Sequence, residues 1–341
     1  APITTVTGAN GQITITTPAE MWLAGLVASS GGLTLNSGIS GTDYSELFDE
    51  LTNNDFSHYL ADQDRFGLLL TGTILAQGAG TELVMASAND VILLGNVTVS
   101  GADADLTVQS DKFVYVAGRL TVADTLKVLG GVSLDDVALG NADSRGSSIY
   151  LAATGALVAS NAGSDVYLHG AQDVDIFLPL IAGGTVGATG VTWAGDGSEV
   201  TVKAGQQIYL DAPIQAAAAI NLLPGTAGED DDGRNFIITT ASGLNAAGLG
   251  ANNTGSVIRI ETPGDLDLPA NLLSGGTIVQ TFSLQGNLLS ETYTWSGRES
   301  RIEIVAGGKV LVGTDSLDIN GNPVKKGTFL RASSRVSIQA G

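Results

Sequence analysis

The sequence predicts an all-β solenoid, a parallel β-helix of about 20 residues per coil. Two observations carry most of that prediction. From Leu106 to Leu134 the chain reads Leu106-Thr-Val108, Phe113-Val-Tyr115, Leu120-Thr-Val122, Leu126-Lys-Val128 and Val132-Ser-Leu134, with turn residues such as Gly118, Asp124 and Gly130-Gly131 between them. The step is too short for strand-helix-strand units, which need roughly 30 residues. Composition is the second observation. Hydrophobic residues make up 43% of 341 residues, aromatics only 5%, and there are 46 glycines. That is the chemistry of thin aliphatic layers joined by tight corners, not of a ring-lined pocket.

The rhythm begins at Ile13-Thr-Ile15, Met21-Trp-Leu23 and Leu33-Thr-Leu35, with Gly31-Gly32 as a permissive corner. It breaks from Gly41 to Phe66. There Asp43 and Glu46 take capping-box spacing, and Tyr44, Leu47, Phe48 and Leu51 fall on one helical face. The spacing predicts a short helical insertion near residues 41–66. Its aromatics Tyr44, Phe48, Phe56 and Tyr59 are candidate partner contacts, or the face that packs the insertion on the solenoid flank.

Strand signals resume at Leu68 and pass through Leu83-Val-Met85, Val91-Ile-Leu93, Val97-Thr-Val99, Ile149-Tyr-Leu151, Val166-Tyr-Leu168 and Val174-Asp-Ile176-Phe-Leu178. Val200-Thr-Val202, Ile208-Tyr-Leu210, Ile214 and Ile220-Asn-Leu222 make the cleanest coil. Val257 to Val279 and Arg301 to Ile319 repeat it, with Thr277-Ile-Val279 and Leu317-Asp-Ile319 read as coil strands.

Two strings carry a resemblance: Val200-Thr-Val-Lys-Ala-Gly-Gln-Gln-Ile-Tyr-Leu210 and Ile302-Glu-Ile-Val-Ala-Gly-Gly-Lys-Val-Leu-Val312. They resemble the filamentous-haemagglutinin-type repeats of giant bacterial surface adhesins. The resemblance covers most of the chain outside 41–66. It implies a right-handed parallel β-helix, the hand that parallel crossovers also prefer. It further implies adhesion and surface structure without catalysis. The irregular coil lengths and the insertion depart from that pattern. The expected domain organisation is one solenoid over 1–341, interrupted at 41–66. The chain is expected to continue beyond residue 341, or its last coil to be completed by a neighbouring subunit. Sixteen or so coils would make a rod on the order of 70 Å long.

Net charge is −20, which disfavours nucleic acid and anionic membrane surfaces. Residues 1–70 hold eight acidic residues and one basic, and residues 298–341 hold seven basic and four acidic. End-to-end self-association follows as an expectation. There are no cysteines, so disulfides and thiol chemistry are excluded. No apolar run reaches membrane-spanning length.

Glu229, Asp230, Asp231 and Asp232, flanked by Gly228 and Gly233, are candidate Ca²⁺ ligands or a solvated acidic loop. The spacing is not that of an EF-hand. His169-Gly170 echoes polygalacturonases, but the accompanying carboxylate and Arg-Ile-Lys motifs are missing, so no catalytic residue is assigned. Trp22, Trp193 and Trp295 are far apart in sequence, and a sugar platform would need two of them on one face. The leading expectation is a structural or adhesive segment of a bacterial extracellular or cell-surface fibre. The alternatives are a subunit stacking head-to-tail and a carbohydrate-binding or carbohydrate-cleaving β-helix, possession of surface glycans as partners being common to the adhesive and sugar readings.

Overall fold

Each coil is three short strands joined by three corners, because two or three alternating apolar residues are all that one wall of a narrow core needs. The computed structural model describes residues 4–5, 11–18, 20–38, 67–131, 149–187, 190–225, 235–239, 243–246, 255–282, 288–295, 299–317, 323–326, 330–332 and 334–341. Within these, 4–5, 190, 277–282, 288–295, 314–317 and 323–326 are described as backbone only.

The broad face is an 11-stranded parallel sheet, one strand per coil. Its strands are Ile13–Thr17, Leu33–Ser37, Glu82–Ser87, Asp105–Ser110, Leu126–Gly130, Asp165–Gly170, Glu199–Ala204, Ala219–Leu223, Val257–Thr262, Arg301–Ala306 and Arg335–Ala340. We number coils 1 to 11 by these strands. A narrow face of three-residue strands follows each, from Met21–Leu23 in coil 1 to Val310–Val312 in coil 10. The shoulder face closes each coil, again as an 11-stranded sheet, running from Thr4–Thr5 to Leu330–Ala332. The fold is therefore a parallel β-helix. The described residues contain no helix, and the helical insertion expected at 41–66 lies outside them.

An uninterrupted coil takes 20 residues: Ile13 pairs with Leu33, Leu106 with Leu126 and Val200 with Ile220. Elsewhere the step lengthens at corners while the register holds. Leu126 pairs with Val166 and Ile258 with Ile302. Ten steps of about 4.8 Å give a ladder roughly 50 Å long. That is shorter than the expected 70 Å, because the corner excursions absorb residues without adding rungs.

The core is two stacked rows from the broad face, met by the inward residues of the other two. Leu33, Leu83, Leu106, Leu126, Val166, Val200, Ile220, Ile258 and Ile302 form one row and are buried. Leu35, Met85, Val108, Val128, Leu168, Val202, Leu222, Ile260 and Ile304 form the other. The two rows join the inward residues of the other faces in one hydrophobic cluster from Met21 to Ala306. Each coil alone could not bury its apolar side; neighbours above and below do it.

Two strand assignments change. Phe113-Val-Tyr115 slips by one residue: the strand is Val114–Val116, with both valines in the core and Tyr115 outward in a separate cluster with Leu69 and Ile92. A one-residue slip exchanges the faces completely. Thr277-Ile-Val279 belongs to an antiparallel hairpin, Gly276–Phe282 with Leu288–Trp295, rather than to a coil wall. Leu317 ends a strand of another hairpin, Thr314–Leu317 with Pro323–Lys326. Val132-Ser-Leu134 lies outside the described residues.

At the corner between narrow and shoulder faces, glycines stack directly. A Cβ on Gly72 would lie 2.0 Å from the Gly25 carbonyl oxygen, one on Gly95 1.7 Å from that of Gly72, and one on Gly118 1.8 Å from that of Gly95. Rung spacing leaves no room there for any side chain.

Candidate functional site

With the core filled by aliphatic side chains, chemistry is confined to outward residues, corners and arms. Glu229, Asp230, Asp231 and Asp232 lie outside the described residues, as do Tyr44, Phe48, Phe56 and Tyr59. The structure neither gathers nor separates them. Among the described residues, no group of three or more His, Asp or Glu is placed to hold a metal ion.

The outward column of the narrow face runs Trp22, Leu69, Ile92, Tyr115, Tyr150, Asp175, Tyr209, Ile237. Tyr115 and Tyr150 stack with centroids 5.6 Å apart and planes 4° apart. Asp175 interrupts the column, and Phe177 fills the gap, 5.1 Å from Tyr150 and 5.3 Å from Tyr209. Four rings from coils 4 to 7 thus form one ladder. Burial raises the Tyr115, Tyr150 and Tyr209 phenols, with Asp175 adding to the latter two, so they stay neutral. Because neighbouring rings pack on each other, their faces are consumed inside the ladder. It braces the face and is a poor platform for a sugar ring.

On the broad face, Tyr167, His169 and Lys203 meet. The Tyr167 hydroxyl and His169 Nδ1 are 3.4 Å apart, and Lys203 Nζ lies 5.5 Å from the centre of the Tyr167 ring. Burial lowers the His169 pKa and the Lys203 charge lowers it further, so the imidazole is neutral at pH 7. A lysine beside it opposes the protonated form that a general acid needs. These surroundings hold His169 in the form that can accept a proton rather than donate one.

The acidic residues at corners have a local task. Asp105 Oδ1 accepts the Thr125 N–H at 3.0 Å, Asp165 Oδ1 that of Glu199 at 3.0 Å, and Asp173 Oδ1 that of Gln207 at 2.9 Å. Asp265 Oδ1 accepts the Lys309 N–H at 2.7 Å. Each carboxylate reaches one rung up and satisfies an N–H that the corner takes out of the ladder. Burial raises Asp165, and it raises Asp124 with help from Asp105, Asp103 and Asp165. Asp90 is different. It is 1% exposed, neither carboxyl oxygen has a hydrogen-bond partner, and burial pushes its pKa to about 7. The Lys112 charge opposes the shift, as does the Phe113 N–H, which stays short of hydrogen-bond geometry.

Two hairpins leave the corner between shoulder and broad faces, and the sequence reading missed both. Gly184–Gly187 pairs with Gly190–Trp193 after coil 6, and Gly276–Phe282 with Leu288–Trp295 after coil 9. The register sets Gly184 opposite Trp193 and Gly276 opposite Trp295. The signal was in the sequence: Gly183-Gly-Thr-Val186 with Val191-Thr-Trp193, and Gly275-Gly-Thr-Ile278 with Tyr293-Thr-Trp295. Gly183 has φ +85° and Gly275 φ +84°, a left-handed turn that L side chains rarely adopt. That turn swings the chain out of the shoulder sheet. In the strand Arg335–Ala340, Val336 is 41% and Ile338 45% exposed, where Ile302 and Ile304 one rung earlier are 0% and 1%. No described helix is long and apolar enough to cross a membrane. Compared with family models, with curated proteins and with solved structures, the chain gives no match.

Proposed function

We propose that this chain is a structural, adhesive segment of a bacterial extracellular or cell-surface fibre, working without catalysis. The observation that supports it most is the unbroken broad-face register from Ile13 to Val336 through every corner excursion. Such a scaffold extends in one dimension and carries variable elements on its sides, as a stalk that presents contacts must. The resemblance of the coil strings to giant surface adhesins points the same way. Calcium at Glu229–Asp232 belongs to this reading as a sequence expectation, checked by melting with added Ca²⁺ and with a chelator. The test of the main reading is attachment. Beads coated with the chain should adhere to cell or matrix surfaces more than beads coated with an acidic globular control. Equal adherence removes the adhesive role.

A second reading, head-to-tail stacking of subunits, is favoured by the uneven charge of the sequence, acidic over residues 1–70 and basic over residues 298–341. Electron microscopy separates the two. Filaments of many lengths support stacking, and single short rods refute it.

A further inference from the structure

The chain has no cysteine, so a covalent tie between its rungs must come from other side chains. The ring ladder of the narrow face holds the chemistry for one. That face lies across the core from the corner that carries the two hairpin arms, a corner that coil 7 turns with only Ala217 and Ala218 between its strands. Tyr115 in coil 4 and Tyr150 in coil 5 stand directly opposite each other in the parallel register. Among the described residues they are the two tyrosines so paired. Tyr167 is paired with Lys127 and Thr201, and Tyr209 with Asp175 and Ile237.

Their geometry brings reactive carbons together. Planes 4° apart with centroids 5.6 Å apart make an offset stack, one ring's edge over the other ring. The edge carbons ortho to a phenol oxygen are where an oxidised tyrosine carries much of its unpaired electron. The surroundings favour a reaction inside the chain. Tyr115 is 2% exposed and packs with Leu69, Ile92 and Phe113, so a radical there is shielded from a second molecule. Tyr150 is half-buried, so a small oxidant reaches it. Burial keeps both phenols neutral, and each therefore has a proton to give up with its electron.

We propose that Tyr115 and Tyr150 are an oxidative coupling site, which a peroxide-driven one-electron oxidant converts to a dityrosine bond between coils 4 and 5. Tyr150 gives up an electron and a proton. The electron hole passes across the stack to Tyr115, which loses its own proton, and Tyr150 is oxidised again. The two phenoxyl radicals join through one ortho carbon each. One C–C bond forms, the two ortho hydrogens move to the oxygens, and both phenols are restored. Two electrons and two protons pass to one hydrogen peroxide, which leaves as two waters. The bond ties rungs whose backbones are otherwise joined only by hydrogen bonds, and it constrains the unfolded chain as a disulfide would. This inference goes beyond the adhesive reading and does not rest on it.

The test oxidises the full chain with peroxidase and hydrogen peroxide, and separately with photo-excited ruthenium tris-bipyridyl and persulfate as a small diffusible oxidant. The monomer fraction should gain dityrosine fluorescence. Trypsin should then release residues 113–119 joined to residues 146–203, at the summed peptide mass less two hydrogens, with fragmentation placing the bond on Tyr115 and Tyr150. Tyr115→Phe and Tyr150→Phe should each abolish the joined pair. Tyr167→Phe, in the same tryptic peptide but on the broad face, should leave it intact. Circular dichroism checks the fold of each variant. If a variant is unfolded, oxidation of the wild type in urea carries the test, and there the pair should be lost. No joined pair from the folded wild type with either oxidant overturns the inference. So does a pair that survives in Tyr115→Phe or Tyr150→Phe, a pair that forms equally in urea, or dityrosine found only in dimers.

Discussion

At the scale of single residues, backbone proximity and burial set the strictest limits. Gly95→Ala puts a methyl group 1.7 Å from the Gly72 carbonyl oxygen, so adjoining rungs must part. The expected cost is about 1–3 kcal/mol, read by denaturant unfolding. A variant as stable as wild type would mean that the corner yields freely. Asp90 gives a pH dependence. Its folded pKa is about 7 against an ordinary 3.8. Below pH 3.8 the carboxyl is protonated in both states and costs nothing. Between 3.8 and 7 the unfolded chain gives up the proton and the folded chain keeps it, so stability falls as pH rises and levels off above 7. The full effect is on the order of 4 kcal/mol. Asp90→Asn should remove this fall, leaving what Asp165, Asp124 and Glu199 contribute, whose pKa values burial also raises. Identical pH profiles for the two proteins would sink the assignment.

At the scale of elements, the coil walls were legible in the sequence and the lateral furniture was not. Leu106-Thr-Val108 and Ile208-Tyr-Leu210 announce inward pairs because alternation over three residues suffices to name a wall. Phe113-Val-Tyr115 misleads because every residue in it is apolar, so alternation cannot say which set points in; the rows above and below decide. Thr277-Ile-Val279 misleads because a hairpin and a coil wall share the period of two. The aromatic ladder was hidden for another reason. It needs the inter-rung register, and Phe177 enters it from beside the column. The expected sites at 44–59 and 229–232 fall where no structure is described, so sequence remains the whole basis for them. Tyr150→Ala should cost about 1–2 kcal/mol through lost ring contacts on both sides, and Tyr150→Phe much less. Equal losses would put the weight on the hydroxyl instead. Replacing 183–198 by Ala-Ala, after the coil 7 corner, should leave the β spectrum intact, since Asp165 and Glu199 pair independently of the arm. Loss of the folded spectrum would make the first arm part of the scaffold.

At the scale of the whole molecule, ends and axis matter more than surface area. If oppositely charged ends drive assembly, particle length measured by light scattering should fall as salt rises from low to about 1 M, where screening reaches about 3 Å. Length independent of salt would remove the electrostatic part of the association. The ladders have a mechanical consequence too. Rungs are joined to one another by hydrogen bonds directed along the axis. A pull on the ends therefore loads one rung's bonds in tension, not all ladders in shear. Rungs should peel singly, each plain coil of 20 residues paying out about 70 Å of slack, and the coils with arms releasing more. Extension under load then comes in such increments, one coil at a time, while the remaining rungs keep their register.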